Sequence, residues 1–296
     1  MSQVQILSSR LNADNVLRTL DKTSLDEIFG NAISRAARST ESTSENTIRG
    51  AIAPAKPHYA IPIHDCGEPL VPIPLDQFAV QSPHPYVQRG APYGHRSPYH
   101  LRQGVLDRLM AVQNALQHAQ PGWRLCLFDA YRPVAVQRFM VEATFLEQLE
   151  ASGLSPDALT PQQEQQLWEQ VYQFWAPPSE NVATPPPHST GAAVDLTLVD
   201  QAGQPVDMGS PIDEISPRSY PNYFAPSDTI ADADRDRSKE AIFHHHRQQL
   251  NTVMEAAGFR RHQQEWWHFS YGDQMWAWLM HKAQPTAGAT ALYGGL

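Results

Sequence analysis

Imidazole and carboxylate side chains occur in the sequence at spacings that suit metal-assisted hydrolysis. His188 lies seven residues before Asp195, and Glu265 lies three residues before His268. Two imidazoles and one carboxylate are donors suited to zinc, and they leave a fourth position for water. Because zinc lowers the pKa of bound water from about 15.7 towards 7, a nearby carboxylate such as Glu265 could take its proton and hand it to a leaving amine. The pattern therefore predicts a zinc hydrolase centre.

A third polar segment, residues 129–133, directly follows a short apolar run that is typical of a buried strand. Arg132 at this strand end could donate to the oxyanion that forms when water attacks a carbonyl group. We interpret Asp129 as a residue that orients its neighbours, since it could pair with Arg132. Tyr131 is a candidate neighbour of the site.

Taken together, these motifs resemble those of VanX-type D-alanyl-D-alanine dipeptidases, which are zinc peptidases of the M15 group. The resemblance rests on His-x-x-Gly-x-Ala-x-Asp at 188–195 and on Glu-Trp-Trp-His at 265–268. It extends to shorter stretches at 131–133, 206–210, 218–219 and 258–259, so that it covers roughly residues 83–275. Each motif is weakly specific alone, but their order and spacing together are highly specific.

The resemblance implies that His188, Asp195 and His268 bind one zinc ion per chain. It further implies that Glu265 is the general base and acid and that Arg132 stabilises the transition state. The implied fold is the compact α+β scaffold shared with D,D-carboxypeptidases and hedgehog signalling domains. The implied reaction is hydrolysis of the small dipeptide substrate D-Ala-D-Ala to two D-alanines, in cell-wall metabolism.

One position departs from the family pattern. Pro186 stands where the family usually has serine, two residues before the first ligand histidine. If that hydroxyl helps to hold the substrate, its replacement bears on the preferred dipeptide more than on metal binding. Ser189 and Trp267, which adjoin the motif histidines, are candidate neighbours of the site or pocket walls. The Pro-rich loop 176–187 and the polar loop 200–238 are the other expected walls.

Hydrophobic periodicity predicts the elements that position these residues. An apolar stripe at steps of three and four residues indicates a helix over 101–116, and Thr160 followed by Pro161 predicts the start of another. Alternating side chains at 192–198 predict a half-buried strand with Asp195 on its non-core side. Further helices are expected at 134–149, 161–175 and 239–257, and further strands at 123–128 and 262–271. This order favours an α+β domain with a small antiparallel sheet flanked by helices.

The segment that holds Glu265 and His268 raises a geometric problem. Residues three apart face opposite sides of a regular strand, so these two could not both reach one ion. The aromatic composition of residues 262–271 is nevertheless typical of a strand. We therefore predict a bulge or bend at Trp266 and Trp267.

The composition indicates a globular protein without nucleic-acid or membrane partners. The 296 residues are 41% apolar and carry a net charge of −9, which argues against a nucleic-acid binder. The sequence contains no run of about 18 apolar residues, which is the length that a membrane-spanning helix needs. Two cysteines, Cys66 and Cys126, suggest neither a disulfide framework nor a thiolate zinc site. The N-terminus lacks the basic start and apolar region of a signal peptide, so we expect a cytoplasmic protein.

The chain divides into three parts by composition. Residues 1–55 are expected to be an N-terminal extension, weakly helical or disordered, because a polar run within them cannot bury enough surface to offset its ordering entropy. Residues 56–285 are expected to form the zinc dipeptidase domain, and residues 286–296 a C-terminal tail. The oligomeric state stays open.

Three other functions fit parts of the pattern. A D,D-carboxypeptidase or endopeptidase acting on peptidoglycan fragments would use the same residues. A two-His-one-carboxylate Fe(II) enzyme would use the same donors, although Asp195 is as far as seven residues after His188 and a base is also present. A non-catalytic metal-binding module would normally have lost Glu265 or Arg132.

Overall fold

The computed structural model of the protein describes residues 56–226, 236–285 and 288–296. The N-terminal extension expected at residues 1–55 lies outside the described residues. The elements given below therefore belong to the expected catalytic domain and to the segment that follows it.

Six α-helices occur among the described residues: α1 (Pro85–Gln88), α2 (Gln103–Ala119), α3 (Val134–Ala151), α4 (Pro161–Phe174), α5 (Arg237–Ala256) and α6 (Gln274–Ala283). The four longer helices that the sequence predicts are confirmed to within a few residues. Thr160 caps α4 as predicted, because its hydroxyl accepts from the Gln163 backbone while the Gln163 side chain accepts from the Thr160 backbone. Within the described ranges, no helix is both long and apolar enough to cross a membrane.

Seven β-strands occur in the same part of the chain: β1 (Leu70–Pro72), β2 (Ala79–Val80), β3 (His100–Arg102), β4 (Arg124–Asp129), β5 (Ala193–Val199), β6 (Arg260–Arg261) and β7 (His268–Ser270). Five of them form one sheet in the order β2-β4-β5-β7-β6, and β1 pairs with β3 separately. The pairs are antiparallel except for β2 with β4, which is parallel. The mixed α+β class is therefore confirmed, whereas the expectation of an antiparallel sheet is wrong at its β2 edge, where the pair is parallel.

An apolar core fixes the central strands of the sheet. The stripe that predicts α2 is buried, with Leu109 0% and Leu116 2% exposed. Alternate residues of β5, among them Val194 and Leu196, lie in the same apolar cluster, which leaves Asp195 on the opposite side of the strand. A second apolar cluster packs α3 against α4. The core thus holds β5 in place while its other side carries polar groups.

The strand predicted over residues 262–271 is present only in part. Residues 260–261 and 268–270 form the short antiparallel strands β6 and β7, and the chain between them turns, with bends at Trp266 and Trp267. The predicted bend is confirmed, whereas a strand over 262–267 is wrong. Packing accounts for the difference, because both tryptophans are 2% exposed and the Trp266 backbone N–H donates to the Ser219 carbonyl instead of to a strand.

The last described residues pack against the domain. Ala291 pairs with Ile63, and Tyr293 is 2% exposed although it lies in the segment expected as a tail. The Tyr293 hydroxyl donates to the Glu68 carboxylate at 2.8 Å. These contacts join the C-terminal segment to residues near the start of the described chain.

Candidate active site

Three neighbouring strands place acidic and imidazole side chains in one row across the sheet. Asp195 on β5 lies opposite His268 on β7 and opposite Asp129 at the end of β4. A register shift between Leu127 and Asp129 creates the second of these pairings, since an unbroken ladder would place Phe128 opposite Asp195. The bulge therefore brings a second carboxylate beside the row.

His188 reaches this row from a short 3-10 turn, Pro187–Thr190, that precedes β5. The turn ends at Gly191, whose φ of 71° lies in the left-handed region that favours glycine. A Cβ atom there would lie 2.6 Å from the Leu70 Cδ1 atom, so a residue with a side chain would also have to displace Leu70. The His188 Nδ1 atom lies 2.7 Å from the Ala130 carbonyl oxygen, a contact that orients the ring.

Nitrogen and oxygen atoms of His188, Asp195 and His268 converge at one point. The His188 Nε2 atom lies 3.1 Å from Asp195 Oδ2 and 3.1 Å from His268 Nδ1, which in turn lies 3.0 Å from Asp195 Oδ1. Because a neutral His188 donates from Nδ1 to Ala130, its Nε2 presents a lone pair. His268 can do the same at Nδ1, since its Nε2 lies 3.3 Å from the Ser270 hydroxyl. These buried donors fit a metal ion bound between them.

Arg132, which follows β4, is buried beside these donors and is almost fully hydrogen-bonded. Its guanidinium donates from Nε to Asp129 (2.8 Å), from Nη1 to Gln137 (2.9 Å), and from Nη2 to Tyr86 (3.2 Å) and Asp195 (3.1 Å). Since a guanidinium has five N–H groups, one N–H of Nη1 remains to bind another acceptor. Arg132 thus has a fixed orientation and one N–H group that can donate to a ligand.

Glu265 lies in the turn between β6 and β7, where the bend brings it close to His268. Its Oε2 atom lies 3.9 Å from His268 Nδ1, and its Oε1 atom lies 3.6 Å from His262 Nδ1. The side chain is 7% exposed. Burial, together with the negative charges of Asp195 and Asp213, raises the pKa of Glu265 well above its usual range. A carboxyl group with a raised pKa suits proton transfer in both directions.

Known proteins are similar in sequence to this chain over most of its length. Residues 80–285 match the peptidase M15 family, described as D-Ala-D-Ala dipeptidase. The chain belongs to this family. It is 53% identical over 241 residues to a D-alanyl-D-alanine dipeptidase of Synechocystis sp., covering 81% of this chain and 97% of that protein. A D-alanyl-D-alanine dipeptidase of Escherichia coli is 31% identical over 55% of this chain and 63% of its own length. One of Enterococcus faecium is 30% identical over 53% of this chain and 66% of its own length.

Membership in the M15 peptidases confirms the resemblance that the motifs indicate, and it makes the protein an enzyme. Its three donors, Glu265 and Arg132 line one pocket of about 650 Å³, including the open mouth. The predicted loops supply part of the wall, with Ala176 and Pro187 from the Pro-rich loop and Asp213 from the polar loop. The pocket therefore brings together the residues that the sequence places in separate motifs.

Asp213 is a pocket residue of the M15 peptidase that sequence reasoning missed. Its φ of 64° lies in the left-handed region, which residues other than glycine seldom adopt. Its Oδ2 atom accepts from the Tyr86 hydroxyl at 2.8 Å, and that hydroxyl accepts from Arg132. Burial and the neighbouring Asp195 carboxylate raise the pKa of Asp213 to about 7. Spacing gave no signal for this residue, because its placement depends on an unusual backbone conformation.

Sequence reasoning also missed a basic side of the pocket, lined by Lys56, His58 and His262. Lys56 and His58 lie at the start of the described chain, beside and within the 3-10 turn Pro57–Ala60. This turn precedes the residues that match the M15 family. The family motifs therefore could not point to it.

Asp129 orients the site from behind the pocket. It is 0% exposed, and its oxygens accept from Arg132, from His84 Nε2 and from the Tyr93 hydroxyl, the last two at 3.1 Å. Although burial opposes ionisation, the Arg132 guanidinium lowers the pKa of Asp129. These contacts support the interpretation of Asp129 as an orienting residue.

The other residues singled out in the sequence lie at different distances from the pocket. Trp267 lines it. Ser189 lies behind it, where its hydroxyl donates to the Arg132 carbonyl at 2.7 Å. Tyr131 does not line the pocket, because adjacent side chains in an extended stretch point in different directions and Arg132 points to the pocket. The Tyr131 hydroxyl instead accepts a hydrogen bond from Arg96.

Proposed function

We propose that this M15 peptidase hydrolyses D-Ala-D-Ala, or a closely related D,D-dipeptide, to free amino acids with the help of a bound zinc ion. The observation that carries the proposal is the convergence of the buried His188, Asp195 and His268 donors in the pocket that also holds Glu265 and Arg132. A protein named for this activity is 53% identical over 97% of its own length, which supports the same substrate here.

His188, Asp195 and His268 would hold the zinc ion. When bound, zinc supplies a water of lowered pKa and polarises the substrate carbonyl. The donor set of two imidazole nitrogens and one carboxylate is that of zinc enzymes that keep a fourth position open. The contacts of His188 with Ala130 and of His268 with Ser270 fix the ring nitrogens that face the site.

Glu265 is the residue that moves protons in this proposal. A carboxylate oxygen accepts a proton from the attacking water, and the same group then delivers this proton to the nitrogen of the leaving D-alanine. Burial of Glu265 supports the role, because a raised pKa allows the carboxyl to hold the proton between the two steps.

Arg132 would stabilise the negative charge that develops on the carbonyl oxygen. Four hydrogen bonds to protein acceptors fix its guanidinium before the substrate arrives, and a fixed donor costs no reorganisation during the reaction. The guanidinium also lies 4.9 Å from the Tyr86 ring centre and 5.0 Å from that of Trp175. These rings shield it from water, and its remaining N–H is the donor for the oxyanion.

Asp213 would bind the ammonium group of the substrate. A dipeptide brings a positive charge into the pocket, and a buried charge requires a partner of opposite sign. Asp213 lines the pocket and is held by Tyr86. Burial and the Asp195 charge raise the pKa of this carboxyl to about 7, and pairing with an ammonium group would favour its ionised form.

We further propose that the scaffold is the one shared by D,D-carboxypeptidases and hedgehog signalling domains. The placement of Asp195 and His268 on neighbouring antiparallel strands supports this proposal. We extend the catalytic domain from residue 56 to the C-terminus, since Ala291 and Tyr293 are buried against it. Residues 1–55 remain the proposed extension.

The proposal is tested by a hydrolysis screen on the full-length protein, with bound metal measured by mass spectrometry. The substrates are D-Ala-D-Ala, L-Ala-D-Ala, L-Ala-L-Ala and a peptidoglycan pentapeptide that ends in D-Ala-D-Ala. We expect about one zinc ion per chain and the highest kcat/KM for D-Ala-D-Ala. Faster cleavage of the pentapeptide would instead assign a carboxypeptidase, and bound iron with oxygen uptake would assign an oxygenase.

A further inference from the structure

The pocket contains a lysine whose ammonium group contacts no carboxylate oxygen among the described residues. Lys56 lines the pocket, and its ammonium group donates to the backbone carbonyl of Tyr172, which is a neutral acceptor. Burial lowers the pKa of Lys56, and the negative charge of Glu265 opposes this shift. Glu265 acts on Lys56 without contacting it, and a buried charge without a counter-ion in contact is costly. The pocket therefore has a place beside Lys56 for an anionic group of the ligand.

His58 supplies a second group that points to a ligand. The side chain is 8% exposed and lines the same pocket, and its Nε2 atom is buried without a hydrogen-bond partner. Buried polar atoms in proteins are nearly always hydrogen-bonded. Burial, with the nearby charge of Lys56, lowers the pKa of His58 to about 4, so the ring is neutral and can present an N–H at Nε2. A ligand acceptor atom would satisfy it.

Arg132, another cation that lines the pocket, is already paired. It forms ion pairs with Asp129 and Asp195, and four of its five N–H groups donate to the protein. Its remaining donor is the one assigned to the oxyanion. An anionic group of a substrate therefore needs a different cation, and Lys56 is placed to provide it.

We propose that Lys56 and His58 bind the terminal carboxylate of the substrate and so select for a free C-terminus. A dipeptide is a zwitterion, and the pocket offers Asp213 for its ammonium group and Lys56 for its carboxylate. Lys56 would give a charge-assisted hydrogen bond and His58 a neutral one. This inference rests on the proposed dipeptidase function and assigns its specificity to a turn that precedes the family's matched residues.

The test compares D-Ala-D-Ala with its C-terminal amide, which has the same shape but no negative charge. Values of kcat and KM are measured for the full-length wild type, for Lys56→Met and for Lys56→Arg. The exposed Lys239 on α5 gives the control Lys239→Met. We expect the wild type to prefer the acid by about 10–100-fold in kcat/KM, mainly through KM, as for hydrogen bonds to charged groups. Lys56→Met should lose most of this preference, Lys56→Arg should keep part of it, and Lys239→Met should keep it all.

His58→Asn is the second variant, and it allows the test to proceed if Lys56→Met does not fold. We expect it to reduce the acid-to-amide ratio by about 10-fold or less, the range for a neutral hydrogen bond. If kcat/KM falls equally for the acid and the amide, these residues are structural. If neither value changes, the substrate carboxylate binds elsewhere. Either result overturns the inference. A wild type that cleaves neither substrate overturns the dipeptidase function itself, and the inference with it.

Discussion

Asp195 and His268 lie directly opposite each other on antiparallel strands, with Asp195 Oδ1 3.0 Å from His268 Nδ1. This pairing is a consequence of strand register, because a shift by one residue would turn one of the two side chains to the other face of the sheet. The apolar residues of β5 that are packed in the core fix that register. The core therefore determines whether two of the three proposed metal donors meet.

Replacing His268 by Asn should abolish stoichiometric metal binding, because it removes one of three converging donors. The matched control is His262→Asn, since His262 lies in the turn before β7 with its ring 5.7 Å from the His268 ring, but outside the donor cluster. After dialysis against a weak chelator, zinc content should remain near one ion per chain in the control and fall well below it in His268→Asn. Equal zinc content in the two variants would contradict the assigned donors.

Gly191→Ala should destabilise the protein more than Gly153→Ala. Both glycines have a φ near 70°, but a Cβ at Gly153 would meet open space, whereas one at Gly191 would lie 2.6 Å from the Leu70 side chain. The backbone conformation should cost about 1–2 kcal/mol at each site, and overpacking about 1–3 kcal/mol more at Gly191. Denaturant unfolding of both variants measures the difference. Since Gly191 ends the turn that holds His188, its variant should also bind zinc more weakly.

Asp213→Asn should raise KM for D-Ala-D-Ala by about 10–100-fold, the range for loss of a charged hydrogen bond. Asn tolerates the left-handed backbone at this position, so the fold should be retained. For N-acetyl-D-Ala-D-Ala, which has no ammonium group, the wild type and the variant should have similar kcat/KM values. A variant with unchanged KM for the free dipeptide would remove Asp213 from substrate binding.

The same variant should change how stability depends on pH in protein stripped of metal. The pKa of Asp213 is raised from its ordinary value near 4 to about 7 in the folded protein, so the folded state holds this proton more tightly than the unfolded state does. The resulting stabilisation is fully present below pH 4 and is lost as the pH rises towards 7. The free energy of unfolding of the wild type relative to Asp213→Asn should therefore fall between these pH values. A constant difference would show that Asp213 titrates normally.

The residues of the proposed metal site, which the structure brings together, could be singled out in the sequence because they lie in short motifs of chemically distinctive residues. His188 and Asp195 occur around a turn and the strand after it, and the α2 stripe and the alternation in β5 give the elements that carry them. These features depend on local periodicity, which the sequence expresses directly. The strand-like composition of residues 262–271 gave a wrong prediction for residues 262–267, because the buried Trp266 and Trp267 belong to a turn.

The rest of the pocket depends on contacts between residues far apart in the chain. The bulge at Phe128 that places Asp129 opposite Asp195 gives no signal in composition. Asp213 reaches the pocket through a left-handed backbone conformation. Lys56 lies 116 residues from Tyr172, whose carbonyl it contacts. Such positions are fixed by tertiary packing, which a single sequence does not reveal.

The central claim is that Glu265 transfers protons at a metal ion held by His188, Asp195 and His268. The most direct test is Glu265→Gln, which keeps the size of the side chain but removes its proton-accepting group. We expect this variant to bind zinc as the wild type does and to lose at least about 10³-fold in kcat for D-Ala-D-Ala. Zinc-loaded Glu265→Gln with activity close to that of the wild type would contradict the account.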